Sequence, residues 1–138
     1  RDLASRTYEL SEFLVGVARV TDLGASFPGK VTFHDSCQVR RGLGIREEPR
    51  RLLGRVAGLE LLEMNRAGDC CGFGGVFSAK HPEVAGAIAR DKLENALATG
   101  ASWITGCEIS CLLHLERQAR ALGAPIRTLH LAEILAGR

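Results

Sequence analysis

Short apolar runs with the composition of β-strands alternate along this chain with longer segments of helical period, and that alternation restricts the fold more than any other feature. Lys30 to His34 (KVTFH) is β-branched and aromatic and follows a break at Pro28 and Gly29. Leu59 to Met64, Ala101 to Thr105 and Ile126 to Leu129 are three further runs of the same kind. Leu10, Phe13, Leu14 and Val17 predict a helix within residues 3–22, ended by Gly24. Glu47, Glu48 and Pro49 open a second helix, whose apolar positions Leu52, Leu53 and Val56 continue to Gly58. Pro82 to Ala98, closed by Gly100, is a third, and Leu112, Leu115, Ala119 and Leu122, closed by Gly123, mark a fourth. A final helical turn follows the last strand. Strands separated by helices are joined by right-handed crossovers, which give a parallel sheet covered on both faces. The predicted fold is therefore α/β, a three-layer Rossmann-like domain with a four-stranded parallel sheet and no internal repeat.

A chain of 138 residues, 46% hydrophobic, is the size of one domain over residues 1–138 and can bury a core without disulfide staples. Its first residue is not Met, and the expectation is a piece of a longer protein. RDLASRTYEL holds no signal-peptide core, and no apolar run reaches the roughly 18 residues of a membrane span, so no membrane span is expected. The net charge is only +2, although 15 of the 18 basic residues are Arg, and aromatic residues are 5% without interleaving among the basic ones. Nucleic acid is not an expected partner.

The five cysteines are Cys37, Cys70, Cys71, Cys107 and Cys111. An odd number with an adjacent pair makes a poor disulfide framework, which points to a reducing, cytoplasmic compartment. In an open parallel sheet, ligands bind beyond the carboxyl ends of the strands. Cys37 follows the first strand, Cys70 and Cys71 the second, and Cys107 and Cys111 the third. Buried hydrophobic cysteines would have no reason to gather on that one edge. Soft thiolates collected there bind an iron–sulfur cluster or zinc.

The pattern of Cys37, then Cys70-Cys71-Gly72, then Cys107 and Cys111 resembles the cysteine-rich CCG domain family, to which a cysteine-rich component of heterodisulfide reductase belongs. The stretches YELSEFL, FHDSCQVRRGLGI, PRRLL, LELLEM, CCGFGGVFSAK, TGCEISCLLHLE and HLAEIL are similar to the C-terminal CCG domain of the lactate utilisation A type, with the glycolate oxidase iron–sulfur subunits as relatives. The resemblance covers almost the whole chain. It implies a cluster of [4Fe–4S] or non-cubane type, held by metal ligands among Cys37, Cys70, Cys71, Cys107 and Cys111. It also implies an electron-transfer role in an oxidoreductase that converts L-lactate to pyruvate. Partners would be other subunits of a lactate utilisation complex and a missing N-terminal CCG domain. The chain alone is not expected to oxidise lactate, because it has no nicotinamide fingerprint, flavin motif or identifiable base. A zinc-binding structural module and a thiol enzyme using Cys37 are the alternatives from other classes.

The family usually has two residues between its last two cysteines, whereas Glu108, Ile109 and Ser110 intervene here. With a helix starting near Ser110, Cys111 falls in its first turn, where free N–H groups and the helix dipole are expected to lower its pKa. Cys107 hangs from the strand end and is the less certain ligand. Gly72, Gly74 and Gly75 are expected to bring backbone close to a cluster and to donate N–H to its sulfurs, or else to serve turn geometry. Phe77 breaks the phosphate-binding glycine pattern. His34 and Asp35 precede Cys37, but a Cys–His nucleophile is not favoured without an oxyanion motif. His130 is read as a neighbour of the site, a helix cap or plain surface. His81 and His114 are read as solvated helix residues. Arg40 and Arg41 either offset a cluster's negative charge, hold a carboxylate, or are solvated.

Overall fold

The computed structural model describes residues 2–137 and consists of a four-stranded, all-parallel sheet between two helical layers. The strands are β1 (Ser26–Phe33), β2 (Ala57–Leu61), β3 (Trp103–Gly106) and β4 (Arg127–His130), in the order β2-β1-β3-β4. Helix α1 (Asp2–Ser5) precedes α2 (Leu10–Glu12), which runs on as a π-helical turn (Phe13–Val17). Helix α3 (Glu47–Leu53) links β1 to β2, α4 (Val76–Lys80) and α5 (Pro82–Leu97) link β2 to β3, α6 (Ile109–Leu122) links β3 to β4, and α7 (Leu131–Leu135) closes the chain. Because β2 and β3 lie on opposite sides of β1, the connections diverge between β1 and β3, and a crevice opens at the carboxyl ends of those two strands.

Two hydrophobic cores occupy the two faces. Val31, Phe33, Leu52, Leu53, Leu131 and Ile134 fill the one beneath α3 and α7; Ile104, Ala89, Leu93, Leu112, Leu115 and Ile126 fill the other beneath α5 and α6. Alternation along β1 and β3 sends successive side chains to opposite cores.

The predicted first helix is divided. The Glu9 side chain accepts from the N–H groups of Ser11 and Glu12 while Glu12 accepts from the Glu9 N–H, a reciprocal cap that starts α2 afresh after Thr7 and Tyr8, residues of modest helix propensity. Gly24 does not end that helix, which stops at Val17 with Arg19 in the left-handed region at φ 54°. Strand β1 starts at Ser26 and passes through Pro28. Pro28 is tolerated because the register with β2 is irregular between Ser26 and Gly29 and pairing with β3 begins only at Val31. Gly58, predicted to stop a helix, instead lies inside β2 at φ +77°, where a Cβ would come within 3.1 Å of the Pro28 Cα. Helix α3 stops at Gly54. Strand β2 ends at Leu61, short of Met64, and α4 is an extra turn at the end of the glycine-rich loop. Among the described residues no helix is long and apolar enough to cross a membrane.

Candidate metal centre

The stretch HDSC leaves β1 with its side chains already sorted by the strand's alternation. Phe33 points to the α3 side and His34 to the α5/α6 side, and Asp35 turns back toward α3. There Arg50 grips Asp35 with two bonds, Nη1 to Oδ1 at 2.8 Å and Nη2 to Oδ2 at 2.9 Å, and also binds Glu63 through Nε and Nη2. Its guanidinium carbon lies 4.7 Å from the centre of the Phe33 ring. Burial alone would favour the neutral form, but the Asp35 and Glu63 carboxylates keep Arg50 firmly charged, its pKa raised. This clamp fixes the backbone on which His34 stands.

The loop after β2 is pinned from the other side. Lys92 of α5, only 3% exposed, donates to the carbonyls of Arg66 and Ala67 at 2.8 and 2.9 Å, and the Asp35 N–H donates to the same Ala67 carbonyl at 3.1 Å. Burial lowers the Lys92 pKa, and the acidic and thiol groups nearby oppose that shift. Cys71 is thereby carried under α5 into the core, while Cys70 faces solvent. Gly72 follows at φ +89° with α5 directly over it: a Cβ would stand 2.5 Å from the Ala85 carbonyl oxygen. The Gly72 N–H donates to the Cys70 sulfur at 3.2 Å and the Phe73 N–H to the Cys71 sulfur at 3.5 Å. Gly74 and Gly75 carry positive φ values of 53° and 58° and turn the chain into α4.

After β3, the Glu108 side chain caps α6 by accepting from the N–H groups of Ser110 and Cys111, both at 3.1 Å. Cys111 occupies the first turn as predicted, yet its pKa is raised rather than lowered. The neighbouring Cys71 sulfur comes first, then burial, and the Glu108 carboxylate adds to both. The N–H groups expected to stabilise its thiolate are already taken by that carboxylate. Cys71 moves the other way, to about 4: the Cys111 thiol beside it is the main cause, with His34 and the Phe73 N–H adding to it against the effect of burial. The two sulfurs stand close enough that ionisation of one opposes ionisation of the other.

Cys71, Cys111 and His34 converge. Their donor atoms lie within 4.8 Å of one another, all three residues are buried, and among the described residues no other three His, Cys, Asp or Glu side chains gather in this way. The remaining predicted ligands stand outside that triangle. Cys37 is exposed at the start of the π-helical turn Gln38–Gly42, Cys70 is exposed beside Cys71, and Cys107 packs against the opposite core. Cys107 there adjoins Glu9 and Ser11; burial first, and then the Glu9 charge, pushes its thiol up to about 12. His34 is the residue that sequence reasoning missed, because along the chain it pairs only with Cys37. Counting strand parity from Val31 and Phe33 would have placed it on the α5/α6 face. His130 caps α7, its Nδ1 accepting from Ala132 and its own N–H donating to Glu133. His81 is exposed, whereas His114 is half-buried against Phe73 with Nε2 unpaired, not solvated as expected.

The donor set fits a soft metal centre: two sulfurs and an imidazole whose nitrogens have no hydrogen-bond partner, gathered in the crevice between β1 and β3.

The model of the cysteine-rich domain family CCG matches residues 31–116. The chain is 44% identical over 133 residues to lactate utilization protein A of Geobacillus thermodenitrificans, covering 96% of this chain and 56% of that protein. It is 40% identical over 134 residues to the protein of the same name from Oceanobacillus iheyensis, covering 97% and 55%. A third, from Exiguobacterium, is 42% identical over 132 residues, covering 96% and 54%. The chain thus spans about half the length of the curated relatives it matches.

Proposed function

Because this chain belongs to the cysteine-rich CCG domain family, we propose that it holds an iron–sulfur cluster and carries electrons in a complex that oxidises L-lactate to pyruvate. The observation that carries the reading is the burial of Cys71 and Cys111 within 4.8 Å of each other in the crevice between β1 and β3. Cys70 and Cys37, on the adjoining loops, are the further thiols available to a centre larger than one ion. When bound, such a cluster supplies a one-electron carrier. The chain's own part is to present thiolates, to exclude water with the α5/α6 core and to direct N–H groups at the sulfurs. The Gly72 and Phe73 N–H groups do the last of these, and such bonds raise the potential of a cluster. The relatives' names carry the lactate assignment, and partner subunits together with a further CCG domain belong to the same proposal.

One observation favours a second reading, a single zinc ion. A cluster spreads its ligands over several irons, whereas one tetrahedral ion draws them together, and three donors here already lie within 4.8 Å. Anaerobic purification followed by iron, sulfide and zinc analysis decides between them. Iron and sulfide in near-equal amounts with visible absorption support the cluster, and a colourless protein with one zinc per chain supports the ion. A protein that binds neither after reconstitution overturns both.

A further inference from the structure

His34 is left without a role when the site is read as thiolates alone. The residue is 1% exposed, and neither ring nitrogen has a hydrogen-bond partner. Leaving a buried polar group unpaired is unfavourable, and an imidazole with both nitrogens unpaired calls for a partner. The backbone that carries the ring is held on both sides. The His34 backbone N–H donates to the Thr105 carbonyl at 2.8 Å, the His34 carbonyl oxygen lies where a Cβ on Gly106 would approach within 3.0 Å, and Asp35 next to it is held by Arg50. The backbone on both sides is fixed, and the imidazole is aimed at the two sulfurs.

We infer that His34 is a nitrogen ligand of the metal centre, completing a set of one imidazole and two cysteine sulfurs with Cys71 and Cys111. The inference rests on the metal-centre reading above and adds to it a ligand of a different kind. Imidazole suits zinc and iron alike, and mixed nitrogen and sulfur ligation is common to both. Donor atoms on one such ion stand about 3.5 Å apart, so the observed triangle needs only side-chain rotation to close. A nitrogen donor in place of a thiolate removes one negative charge from the centre. On iron, that substitution raises the reduction potential.

The test uses the whole chain in two arms, one reconstituted anaerobically with iron and sulfide and reduced, the other loaded with cobalt(II) as the paramagnetic substitute for zinc. Each is prepared with natural histidine and with histidine labelled with nitrogen-15 in the ring, and the metal–nitrogen coupling is measured by pulsed electron paramagnetic resonance. The expected result is a directly bound nitrogen whose coupling changes on labelling in the arm that takes up metal, and which disappears in His34→Gln. The variant is also expected to bind cobalt more than about 100-fold more weakly. A loaded wild-type protein without a bound histidine nitrogen overturns the inference while leaving the metal centre standing, and needs no variant to fold. A coupling that survives in His34→Gln assigns the nitrogen to another histidine and overturns it as well. Uptake of no metal in either arm overturns the metal-centre reading, and the ligand assignment falls with it.

Discussion

Parity decides which cysteines can act together. Trp103 and Ile104 of β3 face opposite cores, and continuing that alternation sends Cys107 to the α3 side, where it packs against that core. Cys111, four residues later and already in α6, returns to the α5/α6 side beside Cys71. Four residues of chain thus carry the two thiols from one face of the sheet to the other. Cys107 is also a thiol that resists ionisation, at about 12, because it is buried near Glu9. Under the same anaerobic reconstitution, Cys71→Ser and Cys111→Ser are expected to lose most of the metal per chain, since Ser is a harder and less acidic ligand. Cys107→Ser is expected to keep it. Equal loss from all three variants would return Cys107 to the ligand set. Placing the cysteines at the strand ends needed only the order of the elements, and this was legible in the sequence. Knowing which of them meet required the face of each strand and the start of α6, and the boundaries of short strands are not encoded sharply enough to give either. His34 was hidden for the same reason: it looks like a partner for Cys37 along the chain and is a partner for Cys71 and Cys111 across the fold.

Glycine carries different information in different elements, which is why some helix ends were legible in the sequence and others were not. Gly123 terminates α6 in the left-handed conformation at φ 63°, a stop signal that means what it says. Gly58 looks identical in sequence but serves a crossing with Pro28 inside β2. In the cysteine loop, Gly72 and Gly75 separate the two roles. Both have positive φ, but a Cβ at Gly72 would run into the Ala85 carbonyl oxygen at 2.5 Å, whereas nothing lies within 4 Å of one at Gly75. Gly75→Ala meets no neighbour but puts an L residue at φ 58°, ψ −111°, outside the left-handed helical region, and should cost about 1–3 kcal/mol. Gly72→Ala adds a clash with helix backbone and should cost at least about 3 kcal/mol, together with displacement of Cys71. Urea midpoints of the two variants check this, and similar values would show that α5 yields without resistance. Helix α6 and β4 are joined by charge. Glu116 accepts from the Arg127 Nε at 2.6 Å, the Thr128 N–H at 2.7 Å and the Arg120 Nε at 3.0 Å. Burial works to raise its pKa, but those donors prevail and the value is lowered in the folded protein. A depressed carboxylate stabilises the fold in full above its unfolded value of about 4.5, and that contribution fades as pH falls through the lower folded value. Wild type should therefore exceed Glu116→Gln in stability near neutral pH, with the gap closing as pH drops below the unfolded value of about 4.5. A gap that stays constant with pH would mean that the Glu116 charge plays no part.

At the scale of the whole molecule, the fold and the site are separable. The buried apolar residues divide between two cores, and the one built from Val31, Phe33, Leu52, Leu53, Leu131 and Ile134 contains none of the three converging side chains. Of the three converging side chains, Cys71 and Cys111 contribute to one core as small apolar groups. Arg50 with Asp35 and Glu63, and Lys92 with the Arg66 and Ala67 carbonyls, order the loops through bonds that involve no sulfur. The protein should accordingly fold before it binds metal, unlike small zinc modules whose folding energy is the metal's. Stripped with a chelator under reducing conditions, it is expected to keep its helical circular dichroism and to unfold cooperatively. Metal added back should raise the melting temperature in proportion to the logarithm of its concentration over Kd, because it binds only the folded state. What the metal adds is local: the convergence of His34, Cys71 and Cys111, which otherwise leaves an unpaired imidazole beside two sulfurs. Amide hydrogen exchange should therefore slow on loading chiefly at residues 34–37, 66–73 and 107–111, with little change in the strands. A stripped chain with the circular dichroism of a random coil, or protection gained uniformly across the sheet on loading, would show instead that the metal builds the fold and that the two hydrophobic cores are insufficient without it.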